Sequence, residues 1–191
     1  VESSNNGIVI TDALAPDQPI LYVNPAFEQI TGYPAAEVIG RNCRFLQGEH
    51  EQQAELDVLR RALARQRECN VILRNSRKDG SEFWNHLVIS PVRDEGGRVT
   101  HFVGVINDLT ERRQVEAELA YAANHDPVTG LARFPVLESA MSELLAEEDA
   151  QVALLFVDLD RFHAINESMG HLIGDEVLRL MAERMAGVLD S

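Results

Sequence analysis

The chain has 191 residues, 45% hydrophobic and 25% charged, the composition of a soluble globular protein of one to two domains. Its formal net charge is −14, which argues against nucleic-acid or anionic-membrane partners, because neutralising phosphates needs Lys and Arg. No apolar run approaches the ~18 residues of a bilayer span. Residue 1 is Val and no signal-peptide pattern follows, so the chain reads as a cytoplasmic piece of a longer protein. Two cysteines, Cys43 and Cys69, make neither a disulfide framework nor a metal-ligand spacing, which fits reduced thiols in a cytoplasm.

In chain order, Gly7–Asp12 and Ile20–Val23 are short β-rich runs separated by the loop Ala15-Pro-Asp-Gln-Pro19. Pro- and Gly-punctuated helical snippets follow through Asn24–Gly48. Leu56, Leu59 and Leu63 recur at i, i+3, i+7, so Gln52–Arg65 is an amphipathic helix. Three β segments come next, about 68–77, 81–93 and 98–107, with turns at Asp79-Gly80 and Gly96-Gly97. Propensity alone makes this α+β. Leu109–Ala123 is a charged helix with Val115, Leu119 and Ala122 at i, i+4, i+7: a surface helix, or a connector that pairs with its twin in a homodimer. His125–Gly130 is a turn and Phe134–Ala146 a helix. Val152–Val157 is a continuous apolar run of the kind found in a strand buried on both faces. Gly174–Leu189 carries Val177, Leu178, Met181, Met185 and Val188 on one helical face, most simply a core-facing stripe.

The most informative segment is Gly40-Arg-Asn-Cys-Arg-Phe-Leu-Gln-Gly48. A lone Cys is usually a small buried apolar residue, and Cys69 is read that way. Here one thiol stands amid two carboxamides and two guanidiniums, a set suited to a planar, phosphorylated, heteroatom-rich cofactor. Arg donates bidentate hydrogen bonds that match phosphate, and carboxamides read polar ring edges without adding charge. If Asn42–Gln47 is helical, Cys43 and Gln47 share a face.

This stretch closely resembles the flavin-binding signature of LOV domains, the blue-light sensors of the PAS superfamily. The resemblance runs from about Ile8 to Asp108: Ile10-Thr-Asp12, Arg60, Asn75 and Phe83-Trp84-Asn85 also fall where the family pattern has them. It implies a five-stranded antiparallel sheet with short helices, and flavin mononucleotide (FMN) as cofactor. Arg44 and Arg60 would clamp its phosphate, and Asn42, Gln47, Asn75 and Asn85 would read the ring edge. Thr11, Leu46, Leu73, Leu87 and Ile106 would complete the site. The family mechanism adds the Cys43 sulfur to ring carbon 4a under blue light, protonates N5, and reverses in the dark. One position departs: Ile106 stands where the family usually has Gln, and side chains alternate faces along a strand, so Asn107 cannot simply replace it. Asn75 and Asn85 share a face only if the intervening loop has an odd number of residues or a bulge with left-handed Gly80.

Asp126-Pro-Val-Thr-Gly-Leu131, Phe156-Val-Asp-Leu-Asp-Arg-Phe162, Asn166 and Gly170-His-Leu-Ile-Gly-Asp175 resemble the first half of a GGDEF domain. That family condenses two GTP into cyclic di-GMP with Mg²⁺. The resemblance makes Asp158 the metal carboxylate and Asn166 and Asp175 the guanine-recognising residues. Arg133-Phe134, His163 and Glu167 depart from the family pattern, and no Gly-Gly-Asp/Glu-Glu-Phe sequence occurs, so no cyclase activity is expected from these residues. The expected organisation is a sensor domain at 1–108, a coiled-coil-like connector at 109–124 and an incomplete α/β GGDEF portion at 125–191. The expected function is blue-light sensing with cyclic di-GMP output. The alternatives are a light-regulated cyclase, a degenerate GGDEF relay, and a PAS interaction module that binds another ligand or none.

Overall fold

The computed structural model describes residues 6–147 and 151–189. They divide into two compact units, with the boundary in the chain between Gln114 and Val115.

The first unit is an antiparallel five-stranded sheet in the order β2-β1-β5-β4-β3. Its strands are β1 (Gly7–Asp12), β2 (Ile20–Val23), β3 (Cys69–Ser76), β4 (Glu82–Arg93) and β5 (Val99–Asp108). Between β2 and β3 run α1 (Pro25–Thr31), α2 (Ala35–Val38), a 3₁₀ helix (Cys43–Gln47) and α3 (Ala54–Ala64). This is the α+β layout that the resemblance implies.

Local chemistry explains the entry into α1. Asn24 is its N-cap, and Oδ1 accepts from Phe27 N at 3.0 Å and from Ile8 N at 2.7 Å. Pro25 follows, pre-set for the first helical turn. One buried carboxamide therefore caps the helix and ties it to β1. Phe27, Ile20, Val38 and Leu56, all fully buried, form the core between the helices and the sheet.

The β3–β4 hairpin closes as the parity argument requires. Arg77 N donates to Ser81 O at 2.7 Å and Gly80 N to Arg77 O at 3.0 Å, leaving a three-residue loop, Lys78-Asp79-Gly80. Gly80 has φ +86°, where a Cβ would be strained. Asn75 lies opposite Phe83, and Leu73 opposite Asn85. Asn75 and Asn85 therefore face the same side.

The last strand leads into α4 (Thr110–Asn124) through a tight joint. Asp108 Oδ1 accepts from Thr110 N at 2.9 Å, and Asp108 Oδ2 pairs with Arg77 Nη2 at 2.6 Å. Leu109 N donates to Trp84 O at 2.9 Å and Trp84 N to Thr110 Oγ1 at 3.0 Å. The Arg113 guanidinium lies 4.2 Å from the Trp84 ring centroid. The first turn of α4 thus packs on the sheet. Further along, Val115 and Leu119 are exposed, and α4 buries no residue.

The second unit continues α4 and contains α5 (Phe134–Leu145), α6 (Phe162–Met169) and α7 (His171–Leu189). The turn before α5 is held by Asp126, whose Oδ1 accepts from Val128 N and Thr129 N at 3.1 and 3.0 Å. Val177, Leu178, Met181 and Met185 are half-buried on α7, whereas Val188 is exposed. The expectation of a buried strand at Val152–Val157 fails. Residues 151–159 have no regular structure, and Leu155 and Phe156 are 84% and 89% exposed. A strand exists only by pairing its backbone with a neighbour, and the described residues of this unit contain no named strand to receive it.

Candidate functional site

Cys43 is held by the loop that joins α2 to α3. Ile20 N donates to Arg41 O and Gly40 N to Ile20 O, both at 2.8 Å, anchoring the loop to β2. Asn42 then caps the 3₁₀ helix, its Oδ1 accepting from Arg44 N at 2.9 Å. The helix is 3₁₀ rather than α. At three residues per turn it is i and i+3, not i and i+4, that eclipse, so α-helical periodicity does not by itself bring Cys43 and Gln47 together. The helix ends in a turn in which His50 N donates to Gln47 O at 2.8 Å. Gly48 has φ +52° and ψ −127°, the geometry of the first central residue of a type II′ turn.

A cavity of about 530 Å³ lies between this helical segment and the sheet, within the range of ~300–1,000 Å³ typical of ligand sites. Every residue expected at the flavin site lines it. Asn42, Cys43, Arg44, Leu46, Gln47 and Arg60 come from the helical side. Thr11, Leu73, Asn75, Asn85, Leu87 and Ile106 come from the sheet. Ile106 is 2% exposed and lies on the cavity face, while Asn107 lies opposite His86 on the other face. No bulge interrupts β5 there, since the only shift in the β4–β5 register is at Val92/Arg93.

The cavity's polarity is concentrated in one buried pair. Asn85 Nδ2 donates to Asn75 Oδ1 at 2.8 Å, and Asn75 Nδ2 donates to Arg74 O at 3.0 Å. Asn85 Oδ1 is buried with no partner. An unsatisfied buried acceptor costs about 1–3 kcal/mol, so this wall is built to receive a donor. A planar heteroaromatic ring with N–H and C=O groups on one edge fits this wall, and the apolar Leu46, Leu73 and Leu87 fit its faces. Burial pushes the Cys43 thiol up to about 12, so its sulfur is protonated at neutral pH.

The two guanidiniums sit at the exposed part of the lining. Arg44 Nη2 lies 2.5 Å from Asp17 Oδ1, and Arg60 Nη1 lies 3.1 Å from Asp57 Oδ1. All four side chains are more than half exposed. They are chemically suited to a phosphate that reaches solvent.

Some lining residues went unrecognised from sequence. Phe102 and Gly104 share the face of Ile106, and Ile89 shares that of Asn85 and Leu87. Strand alternation was the signal that would have found them. Gly104 forms part of the floor: a Cβ there would stand 2.8 Å from Val9 Cγ1. The Leu56, Leu59 and Leu63 stripe lines the cavity as well, so the amphipathic face of α3 serves the site.

Asp158 is exposed in the irregular stretch, Asn166 lies on α6 with its carboxamide against Gly174, and Asp175 is half-buried on α7. Among the described residues no group of three His, Cys, Asp or Glu side chains could hold a metal. No helix among the described residues is long and apolar enough to cross a membrane.

Comparison with known proteins gives the same division. A PAS-domain family model matches residues 5–111, and a model described as diguanylate cyclase, GGDEF domain, matches residues 123–191. A blue-light-activated histidine kinase of Rhizobium johnstonii is 45% identical over 116 residues, 61% of this chain and 34% of that protein. A blue-light photoreceptor of Listeria monocytogenes is 41% identical over 116 residues, 61% of this chain and 46% of that one. The chain thus spans less than half the length of these relatives. Among solved structures, an RNA-binding Light-Oxygen-Voltage receptor is similar with a TM-score of 0.60 and 40% identity, over 76% of this chain and 36% of the other. The LOV domain of the Erythrobacter litoralis EL346 blue-light-activated histidine kinase gives 0.52 and 41%, over 55% of this chain and 95% of that domain. The chain belongs to the PAS family, with a LOV domain similar to those of blue-light receptors and, at residues 123–191, a match to the GGDEF-domain model.

Proposed function

We propose that this chain senses blue light through reversible bonding of Cys43 Sγ to FMN and passes the signal along α4, in a homodimer, to a cyclic di-GMP output domain. The observation that carries the reading is the composition of one cavity: a protonated thiol, a buried carboxamide pair with an unpaired acceptor, and two guanidiniums at the exposed lining. The bound flavin supplies blue-light absorption and a ring carbon that accepts a thiol.

The chain's own residues do the rest. Cys43 holds its proton on Sγ in the dark, so sulfur and proton are delivered together and no separate acid is needed. Asn75 and Asn85 fix the ring edge by hydrogen bonds in a low-dielectric wall, where such bonds are strong. Leu46, Leu73 and Leu87 exclude water from the ring. Arg44 and Arg60 hold the phosphate. Ile106 offers no donor or acceptor, so the polar response on the sheet face falls to the Asn75–Asn85 pair. From there, Phe83 and Trp84 on β4 lead to the joint at Asp108–Thr110 and into α4. A photon shifts such a joint only by a difference in interaction between the two states.

The test is an absorption spectrum of the purified chain before blue light, after it, and through dark recovery. A flavin band that bleaches and returns supports the reading. A colourless protein, or a flavin band indifferent to light, refutes it.

A further inference from the structure

We propose that Asp17 is a built-in counter-anion for Arg44, which the phosphate of the bound flavin must displace. This rests on the flavin reading above and adds a residue that sets preference among flavins.

Three observations carry it. First, Asp17 Oδ1 lies 2.5 Å from Arg44 Nη2, so one of the two guanidiniums suited to phosphate already holds a carboxylate. The other, Arg60, pairs with Asp57 three residues away on its own helix. Asp17 instead reaches Arg44 from a separate loop, and loop geometry is what an exchange between anions can alter. Second, Asp17 and Gln18 have φ +66° and +48°, two consecutive non-Gly residues in the left-handed region. Asp tolerates this region, but it is uncommon for Gln. The conformation is held by Asn42 Nδ2 donating to Asp17 O at 2.5 Å, and by the Arg44 pair. The loop is therefore fastened to the residues on either side of Cys43. Third, Gln18 itself lines the cavity, so the fastened loop borders the site.

The pair is exposed on both sides, 63% and 56%, and exposed ion pairs are weak and screened by salt. It is therefore exchangeable. A phosphate dianion takes the guanidinium because it offers more charge and a matching fork of oxygens. The freed Asp17 carboxylate is then repelled by it. A flavin without phosphate leaves Asp17 on Arg44. Asp17 accordingly weakens FMN relative to riboflavin and couples the Ala13–Pro19 loop to the phosphate end of the ligand.

The experiment titrates the flavin-free 191-residue chain with FMN and with riboflavin, following flavin fluorescence, for wild type, Asp17→Asn and Asp17→Glu. Asn keeps the backbone carbonyl that Asn42 uses and tolerates left-handed φ, so the change removes charge alone. For Asp17→Asn the FMN Kd falls about three- to fivefold, at the upper end of exposed-pair effects, while the riboflavin Kd stays within about twofold. Asp17→Glu keeps the charge, so its ratio of FMN to riboflavin Kd stays near that of wild type while any backbone cost falls on both flavins alike, and 1 M salt shrinks the difference because the Debye length is then ~3 Å. An equal shift for both flavins, or no shift for FMN, overturns the role of Asp17 while leaving the flavin site standing. Binding of neither flavin by the wild type overturns both readings.

Discussion

Gly48→Ala perturbs the turn that closes the cysteine segment, and its cost can be worked from two separate features. At φ +52° and ψ −127° an L side chain occupies backbone space that costs about 1–3 kcal/mol. A Cβ there would also stand 2.9 Å from Ser76 Cβ on β3, closer than real Cβ contacts come, with Ser76 Oγ nearer still. Forcing a methyl into such a contact costs about 1–3 kcal/mol. The two together give about 2–6 kcal/mol, or a fall in Tm of roughly 8–24 °C at about 4 °C per kcal/mol for a domain of this size. Thermal unfolding followed by circular dichroism measures the total. A double-mutant cycle with Ser76→Gly separates the parts, because removing the Ser76 side chain relieves the contact and leaves the backbone cost. The variant also releases flavin more readily, since the turn sets Gln47 against the cavity. A Tm within about 2 °C of wild type, or a cycle with no coupling, would show that the β3 contact does not constrain this turn.

Cys43→Ala keeps bound flavin and its fluorescence but does not bleach under blue light; bleaching through a normal thiol bond in that variant removes Cys43 from the proposed chemistry. Ile106→Gln places a carboxamide on the cavity face, so the dark-state flavin spectrum shifts slightly and the recovery rate changes; if neither responds, Ile106 does not face the ring. For Asp108, burial raises the carboxyl, but hydrogen bonds from Thr110 and Arg77 outweigh it and hold the group below its ordinary 3.8. A depressed folded value means the group stabilises the fold above 3.8, and that contribution is lost as pH falls through the lower folded value. Asp108→Asn is therefore less stable than wild type at neutrality, and the gap narrows in acid. Denaturant unfolding from neutral pH down past 3.8 checks this, and a pH-independent gap would assign the loss to packing instead.

In the first unit the order of strands and helices was legible from local rules, alternation along strands and punctuation by Pro and Gly. The odd hairpin loop before β4, the place of Ile106 and the set of residues around Cys43 were legible only through the family resemblance, because the alternation of a strand says which residues share a face but not which face meets the cavity. Cys69 was legible too, as a buried core thiol. Which partners the side chains take depends on the folded chain. Arg44 and Asp17 are 27 residues apart, and nothing local pairs them. The unpaired Asn85 Oδ1, the glycine floor at Gly104 and the clash awaiting a side chain at Gly48 also depend on chain segments brought together by folding. Val152–Val157 shows the converse. Its composition is that of a buried strand, but composition supplies only propensity, and a strand needs a second backbone beside it.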